Sequence, residues 1–468
     1  MKRKKILIFI DSDVILRHFI LNDSFKDLEN SNDVIYVFNQ DKKRFDFKKN
    51  KIVIDKIPQK KIRYCYIPRK RTGVWFLLYI INLFRQHRIA LNKNASKKHY
   101  KALVKHYLFE IGKRNLFLAR LAGYPIIYQI INYIFSIRLG IHKDVIDVIN
   151  LENPDLLIHP SFLHGYFINE LFKASPKYKI PFVVLTNSWD NCCTKAFCTG
   201  LPDKLVVWGE HSKKHAQQYI GMSEKNVLCF GAAQFEVYKN PPKEDRNELA
   251  KYFQVDPTKK LLLYAGVGHS EDETSNLKLL EKAIENSILP NCHVIYRPHP
   301  WRGGLIENEE DFLSLNWEHI SIDPTMLEYY KSSISDKKDS KQYIGMYLAD
   351  YSITNKLLTL VDAVISPFST MLIESMLKGK PVLAFLKFDQ KKSLSNEFIH
   401  FAEFVELEET NTCYQKKDFI PECAELLKQI NDKTFSKKLK KRSNFFVSQP
   451  QDSYSKQLSK LAKELTSN

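Results

Sequence analysis

The sequence has 468 residues, of which 44% are hydrophobic and 26% are charged, and its formal net charge is +18 at pH 7. This length excludes a single compact core and predicts two domains of roughly 200 residues each. The apolar and charged fractions are those of a soluble globular protein, and the chain has no long low-complexity segment.

The eight cysteines are scattered without paired spacing, which indicates a reducing compartment. Cys192, Cys193 and Cys198 lie close together, but they lack the CxxC pairs of a zinc site. We therefore expect buried or loop thiols there and no metal site.

The first predicted element is a strand at residues 6–10, directly after a basic N-terminal run. Its apolar core is too short for a signal peptide, because Asp11 and Asp13 follow at once. We interpret it as the first strand of a Rossmann-like domain. Further strand-like runs lie at residues 34–38 and 52–54.

A basic segment covers about residues 56–140. Residues 51–100 contain eight lysines and five arginines against one acidic residue, so they carry +12 of the net charge. Of two apolar runs, residues 74–84 are too short to cross a bilayer and residues 116–139 are too interrupted. The pattern fits either peripheral binding to an anionic leaflet or core helices with a solvated basic face.

Nucleic acid is another partner of basic surfaces, but no RNP, KH or zinc-finger pattern appears in the chain. We therefore expect no nucleic-acid partner. The expected location is the cytoplasm, with peripheral association at the inner face of the cytoplasmic membrane.

From residue 153 short strands alternate with helices, which predicts a parallel sheet. Polar side chains follow these strands and should collect at the carboxyl edge of the sheet. Asp190 there is either a catalytic carboxylate or a residue that caps its own turn. The other side chains singled out in this region are His159, His164, Asn187 and Trp189.

The second domain is predicted to begin after a polar linker at about residues 239–258. A strand at residues 261–265 leads into Gly266-Val267-Gly268, a tight turn whose backbone can approach a ligand. Three adjacent carboxylates follow, just before a helix predicted at residues 275–286. These carboxylates are Glu271, Asp272 and Glu273. They either compensate the helix dipole, or their mutual repulsion allows one of them to act as a general base.

Two further stretches of this domain place polar groups at strand ends. Residues 293–300 form a strand that stops at Arg297, His299 and Pro300. Residues 361–385 predict a strand, a turn with Ser366 at its start, a helix and a second strand. Hydroxyls at a helix N-terminus suit an anion site, and an ordinary N-capped helix is the alternative; the hydroxyls are those of Ser369 and Thr370.

Together these stretches resemble the C-terminal half of GT-B glycosyltransferases that build bacterial surface polysaccharides. The similarity is greatest to sialyl-, polysialyl- and Kdo-type transferases, and CDP-glycerol glycerophosphotransferases are more distant. In the sialyltransferases an HP motif and a later Ser/Ser-Thr motif hold the nucleotide. The resemblance implies nucleotide binding, with a preference for CMP, by Arg297, His299, Pro300, Gly268, Ser366, Ser369, Thr370 and Glu374.

The same resemblance implies roles for the remaining candidates. A paired-acid motif before HP supplies the base in the sialyltransferases, which indicates Asp272 or Glu271; the glycine that usually follows is Glu273 here. Glu273 and Asp190 are the alternative bases. An S-W-D-N turn is typical of the acceptor-side half, which implies acceptor binding by His159, His164, Asn187 and Trp189.

One motif of retaining GT-B enzymes is incomplete. The second glutamate of an E-x7-E pattern corresponds to Glu374, but Ser366 stands at the first position. This favours an inverting direct displacement. No DxD motif is present, so we expect neither metal nor cofactor.

The predicted protein is an α/β glycosyltransferase of GT-B architecture, with two Rossmann-like domains facing a cleft and a basic helical insertion in the first. The domains are expected at residues 1–240 and 241–440, with a C-terminal helix at 441–468. It should move a sugar from a CMP-sugar to a growing surface glycan or a lipid-linked glycan. The alternatives are a CDP-glycerol- or ribitol-type transferase and a non-catalytic, membrane-associated scaffold of capsule assembly.

Overall fold

A computed structural model describes residues 3–40, 51–92, 112–162, 166–193, 199–267, 272–299, 305, 309–335, 350–385 and 399–467. The chain divides into two compact units. The first consists of Met1–Glu236 together with Phe445–Asn468, and the second of Val237–Asn444.

The first unit contains one parallel sheet of seven strands in the order β3-β2-β1-β4-β5-β6-β7. The strand order reverses between β1 and β4, which makes this the topological switch point where open α/β sheets bind ligands. The strands are β1 (Lys5–Ile10), β2 (Asp33–Asn39), β3 (Ile62–Cys65), β4 (Leu156–His159), β5 (Phe182–Leu185), β6 (Lys204–Val207) and β7 (Val227–Cys229).

Helices cover both faces of this sheet, as parallel strands require, and the central strands are accordingly near-continuous apolar runs. Its helices are Asp13–Ile15, Lys26–Ser31, Lys51–Ile54, Arg69–Asn92, 112–122, Pro125–Leu139, Lys143–Glu152, Ile168–Tyr178, Glu210–His215 and Tyr454–Thr466. Shorter helical turns are Leu16–Ile20, Gln59–Lys61, Ala216–Ile220, Glu224–Asn226 and Ala233–Lys239.

One strand prediction in this unit is wrong. Residues 52–54 belong to the helix Lys51–Ile54, and the third strand is Ile62–Cys65. That strand lies at the edge of the sheet, where only Ile62 and Cys65 are buried and Tyr64 is 42% exposed. A half-buried edge strand within a lysine-rich segment carries too short an apolar pattern to be recognised. The strand at residues 34–38 is confirmed within β2.

The two apolar runs of the basic segment have different environments. Residues 74–84 lie within the helix Arg69–Asn92, where Trp75, Leu78 and Phe84 are fully buried in the core of the first unit. Residues 116–139 form parts of two helices, 112–122 and Pro125–Leu139, with many exposed apolar side chains. Among the described residues, none of the helices combines the length and the apolar character that crossing a membrane requires.

The second unit contains a parallel sheet of six strands in the order β10-β9-β8-β11-β12-β13. Here the order reverses between β8 and β11. The strands are β8 (Lys260–Ala265), β9 (Cys292–Arg297), β10 (Ile320–Ile322), β11 (Ala363–Pro367), β12 (Val382–Phe385) and β13 (Asn411–Cys413).

The helices of this unit again flank both sheet faces, so the predicted pair of Rossmann-like domains is confirmed. They are Arg246–Phe253, Glu273–Glu285, Leu327–Ser335, Tyr351–Leu360, Thr370–Leu377, Ala402–Val405, Phe419–Lys428 and Lys433–Phe446, the last of which ends in the first unit. Shorter turns are Phe312–Ser314, Pro324–Met326, Ile399–Phe401 and Lys416–Asp418.

Candidate functional site

Three neighbouring strands of the second sheet end in one row of candidate residues. In the β8–β9 register Ala265 is opposite Arg297, and the Ser366 hydroxyl at the end of β11 donates to the Ala265 carbonyl at 2.9 Å. Adjacent strands lie about 4.8 Å apart. The ends of β9 and β11 therefore lie on one edge about 10 Å apart, with the β8 turn between them.

The turn after β11 presents a pair of hydroxyls at the start of a helix. Ser369 is the N-cap residue of the helix Thr370–Leu377, but its side chain does not cap that helix. Because the Ser366 proton is given to Ala265, Ser369 donates to the Ser366 oxygen at 2.8 Å. Ser369 and Thr370 are half-buried. A helix N-terminus with no side-chain cap and adjacent hydroxyls can bind an anion.

Glu374 lies one turn further along the same helix and is held by a tyrosine. Its carboxylate accepts a short hydrogen bond from the Tyr238 hydroxyl, and both side chains are buried. Burial, and next the Glu374 charge, raise the pKa of Tyr238 well above its usual value. Tyr238 thus remains a donor and fixes the Glu374 side chain.

Glu273 is fully buried and organises the turn after β8. Its carboxylate accepts from the Val267 amide at 2.7 Å and from the Tyr296 hydroxyl at 2.6 Å. A Cβ atom at Gly266 would lie 2.5 Å from that carboxylate, so only glycine fits there. These contacts hold the turn in place, and a role for Glu273 as base stays a prediction.

Asp272 is the N-cap residue of the helix Glu273–Glu285. Its half-buried carboxylate accepts from the Ser275 amide at 2.9 Å and from the Ser275 hydroxyl. This is the geometry of an N-cap, and a role for Asp272 as base stays a prediction. Four other predicted site residues lie outside the described residues: Gly268, Glu271, Pro300 and His164.

Arg297 ends β9 in a buried ion pair. One guanidinium nitrogen lies 2.6 Å from the carboxylate of the fully buried Asp323, and another donates to the Thr354 hydroxyl at 3.2 Å. Much of its charge is therefore balanced within the unit. His299 follows two residues later and is half-buried.

The switch point of the first sheet contains a second pair of charged groups. The His159 ring at the end of β4 contacts the carboxylate of Asp11, directly after β1, at 2.7 Å, and its other nitrogen lies 2.6 Å from the Ser161 carbonyl. Asp11 also accepts from the Tyr166 amide at 3.2 Å. The ring of His159 is therefore held between the Asp11 carboxylate and the Ser161 carbonyl.

Asp11 is a residue that the sequence reasoning missed as a site candidate. The only available signal was its position immediately after the first strand, and its partner is 148 residues away in the chain.

The turn after β5 is built on Asn191. Its side-chain oxygen accepts from the amides of Asn187 and Ser188 at 3.1 and 3.3 Å, and its amide donates to Asp190 at 3.2 Å. Asp190 is buried, and Trp189 packs against His211 with ring centroids 5.3 Å apart. The side-chain oxygen of Asn187 is buried and accepts no hydrogen bond from the described residues.

His18 lies at the same turn and was also not singled out from the sequence. Burial, and next the neighbouring Arg17 cation, lower its pKa well below the usual value, while a hydrogen bond with the backbone of Asn187 opposes this. A neutral imidazole therefore contacts this turn.

No family model matches the chain, and none of the curated proteins matches it. Among solved structures, a protein from Listeria monocytogenes named as a UDP-N-acetylglucosamine 2-epimerase aligns with 100% of this chain and 98% of its own, at 11% identity and a TM-score of 0.52. This likeness concerns the fold alone. The chain has the GT-B fold.

Two other structures align at TM-scores below 0.5 and support no inference about this chain. The wall teichoic acid polymerase TagF aligns over 100% of this chain and 90% of its own, at 10% identity and a TM-score of 0.48. A glycosyltransferase from Rickettsia africae aligns over 100% of both chains, at 11% identity and a TM-score of 0.47.

Proposed function

We propose that the protein is a glycosyltransferase that moves a sugar from a nucleotide donor, with CMP-sugars preferred, to a growing surface glycan. The observation that carries the proposal is the hydroxyl pair of Ser366 and Ser369 beside the uncapped helix Thr370–Leu377, at the switch point of the second sheet. This is where an open α/β sheet binds a ligand, and its free donors suit a phosphate.

In this proposal the donor phosphate receives hydrogen bonds from the Thr370 hydroxyl and from the first amides of the helix. The Ser369 hydroxyl joins them when it turns from Ser366 to the phosphate. His299, two strands away on the same edge, contributes a further donor. Arg297 is already paired with Asp323, so its role is to fix the end of β9. Donors directed at the departing phosphate stabilise the charge that develops in the transition state.

The reaction is an inverting direct displacement. A carboxylate, Asp272 or Glu271, takes the proton of the acceptor hydroxyl while the bond from the sugar to the phosphate breaks. For Asp272 to act in this way, its carboxylate must give up the hydrogen bonds to Ser275 when the acceptor is bound.

The acceptor is proposed to bind through the first unit. The buried side-chain oxygen of Asn187 is the supporting observation, because a buried acceptor without a donor is costly and an acceptor hydroxyl can supply that donor. Asp190, in the same turn, is the alternative base. The proposed location is the cytoplasm, at the inner face of the membrane.

The proposal is tested by titration calorimetry with CMP. His299→Ala and Ser369→Ala should each weaken binding about 10- to 150-fold, the equivalent of a lost hydrogen bond to a charged group at about 1.5–3 kcal/mol. Matched controls are His319→Ala and Ser352→Ala, which change the same residue types elsewhere in the second unit. Unchanged affinity in both test variants would contradict the assignment.

A thermal-shift series separates the donor classes. CMP should stabilise the protein more than CDP, UDP, GDP or dTDP does. A ligand at 100 times its Kd raises the free energy of unfolding by about 2.7 kcal/mol. Stronger stabilisation by CDP-glycerol than by CMP would favour polyol-phosphate transfer instead.

A further inference from the structure

The helices 112–122 and Pro125–Leu139 carry a continuous apolar face that is open to solvent. On the second helix the exposed residues follow the spacing of one helical face, and Ile126 is 74%, Tyr133 68% and Ile137 65% exposed. We call this set the apolar face: Phe117, Leu118, Leu121, Tyr124, Ile126, Ile127, Ile130, Tyr133, Ile134 and Ile137.

The opposite side of this helix pair is firmly attached to the helix Arg69–Asn92. Gly123, between the two helices, allows the close approach, since a Cβ there would lie 2.8 Å from the Phe84 side chain. Arg88 stacks over the Tyr124 ring at 3.9 Å and donates to the Arg120 carbonyl at 2.8 Å. The exposure of the apolar face therefore belongs to a well-packed element.

The end of the second helix is anchored by a buried ion pair. Arg71 donates to the carboxylate of the fully buried Glu170 at 2.6 and 2.9 Å, and to the carbonyls of Leu139 and Gly140 at 2.8 Å. Glu170 also accepts from the Trp75 indole at 2.8 Å. Most of residues 74–84 thus face the interior, with Leu77 the exposed exception, and the half-buried Arg71 is held by Glu170.

The charged side chains on these two helices all have the same sign. Residues 112–140 contain four basic residues and no acidic residue. Lys113 and Arg114 precede Phe117 and Leu118 by one helical turn, and Arg138 follows Ile134 by one turn. An apolar surface whose own two helices carry basic ends and no carboxylate complements an anionic lipid surface.

We propose that the apolar face lies flat on an anionic bilayer, with Lys113, Arg114 and Arg138 at the lipid phosphates. The inference rests on the membrane location proposed above, but not on the transfer reaction. It moves the contact from the basic segment before residue 88 to residues 112–139, because the earlier apolar run is buried.

Sedimentation with vesicles tests the inference. The full chain should bind equimolar phosphatidylglycerol–phosphatidylcholine vesicles, bind phosphatidylcholine vesicles more weakly, and be released by about 0.5 M salt. The variant Ile126→Ser, Ile130→Ser, Ile137→Ser should lose at least about tenfold in partitioning. The variant Lys113→Gln, Arg114→Gln, Arg138→Gln should lose about as much on the anionic vesicles alone.

Matched controls change exposed residues of the same types elsewhere. They are Leu151→Ser, Leu201→Ser, Ile288→Ser for the apolar variant and Lys417→Gln, Lys433→Gln, Lys437→Gln for the basic one. Both controls should bind vesicles as the wild type does.

Three outcomes would overturn the inference. They are no vesicle binding by the wild type, binding that survives both test variants, and a wild-type dimer that the apolar variant converts to monomer without change in vesicle binding. CMP titration of the same variants keeps the two proposals separate. Loss of vesicle binding with intact CMP affinity supports this inference, whereas CMP failure with intact vesicle binding affects the proposed function alone.

Discussion

The two sheets satisfy the polar groups at their switch points in different ways. In the first sheet Asp11 and His159 are 3% and 0% exposed and are hydrogen-bonded to each other. In the second sheet Ser366 is buried, but Ser369 and Thr370 are half-exposed and no side chain caps the helix that follows. The polar groups at the edge of the first sheet are paired with each other, whereas the edge of the second sheet keeps donors that water or a ligand can use.

This difference distinguishes polar residues that stabilise the fold from polar residues that can bind a ligand. A buried pair of charges mainly fixes the backbone around it, and its loss is measured as stability. Half-exposed donors at a helix end contribute little to stability, and their loss is measured as affinity. The next three predictions test this distinction.

The largest effect is expected from Asp11→Ala, which removes the buried carboxylate that the fully buried His159 ring contacts. We expect the free energy of unfolding to fall by about 3–5 kcal/mol, with unchanged CMP affinity. Urea denaturation followed by tryptophan fluorescence measures it. Glu224→Ala, which removes an ion pair between Lys213 and the exposed Glu224, is the control and should cost about 1 kcal/mol or less.

The contrast between the edges breaks down if Asp11→Ala is as stable as the wild type but loses turnover. Asp11 and His159 would then belong to the reaction site.

A smaller effect is expected from Glu273→Gln, at the turn after β8. The amide replaces one acceptor oxygen by a donor that faces the Val267 amide or the Tyr296 hydroxyl. We expect a loss of about 1–3 kcal/mol in stability, together with weaker CMP binding. Glu285→Gln, on the exposed side of the same helix, should change neither quantity. Normal CMP affinity in a destabilised Glu273→Gln variant would separate this turn from the nucleotide site.

The smallest effect concerns Lys380, just before β12. Burial above all lowers the pKa of its amine from 10.5 to about 8. Between those values the unfolded chain holds a proton that the folded chain has lost, so the free energy of unfolding should rise with pH in that window. We expect a rise of about 1 kcal/mol per pH unit within that window relative to Lys380→Met. Parallel pH profiles of the two proteins would show that Lys380 does not titrate there.

The strands of both sheets were largely predictable, because buried parallel strands are apolar runs that end in polar turns. The edge strand Ile62–Cys65 was not, since half of its residues face solvent. Sequence patterns also could not say which of the apolar runs, residues 74–84 or 116–139, is buried. Trp75 and Ile126 stand in similar basic surroundings, yet one is fully buried and the other is 74% exposed.

The candidate site was predictable only where its residues follow strands along the chain. Ser366 and Ser369 are three residues apart, and their contact follows from one local turn. The pairing of Arg297 with Asp323 and of Asp11 with His159 depends on which strands become neighbours. No local pattern contains that information. This dependence on strand order also explains why the sequence predicted nucleotide binding by Arg297 but not its ion pair with Asp323.

The first unit cannot complete its fold until the last helix has been synthesised. Tyr454–Thr466 packs on Lys26–Ser31, where the Asp27 amide donates to the Ser455 hydroxyl at 2.7 Å. Between Asp27 and Ser455 the ribosome must translate the rest of the first unit and the entire second unit, a separation of 428 residues, which takes about 20–80 s. Until then the surface that receives this helix is uncovered, so chaperone binding to nascent chains should end only when residue 466 has emerged.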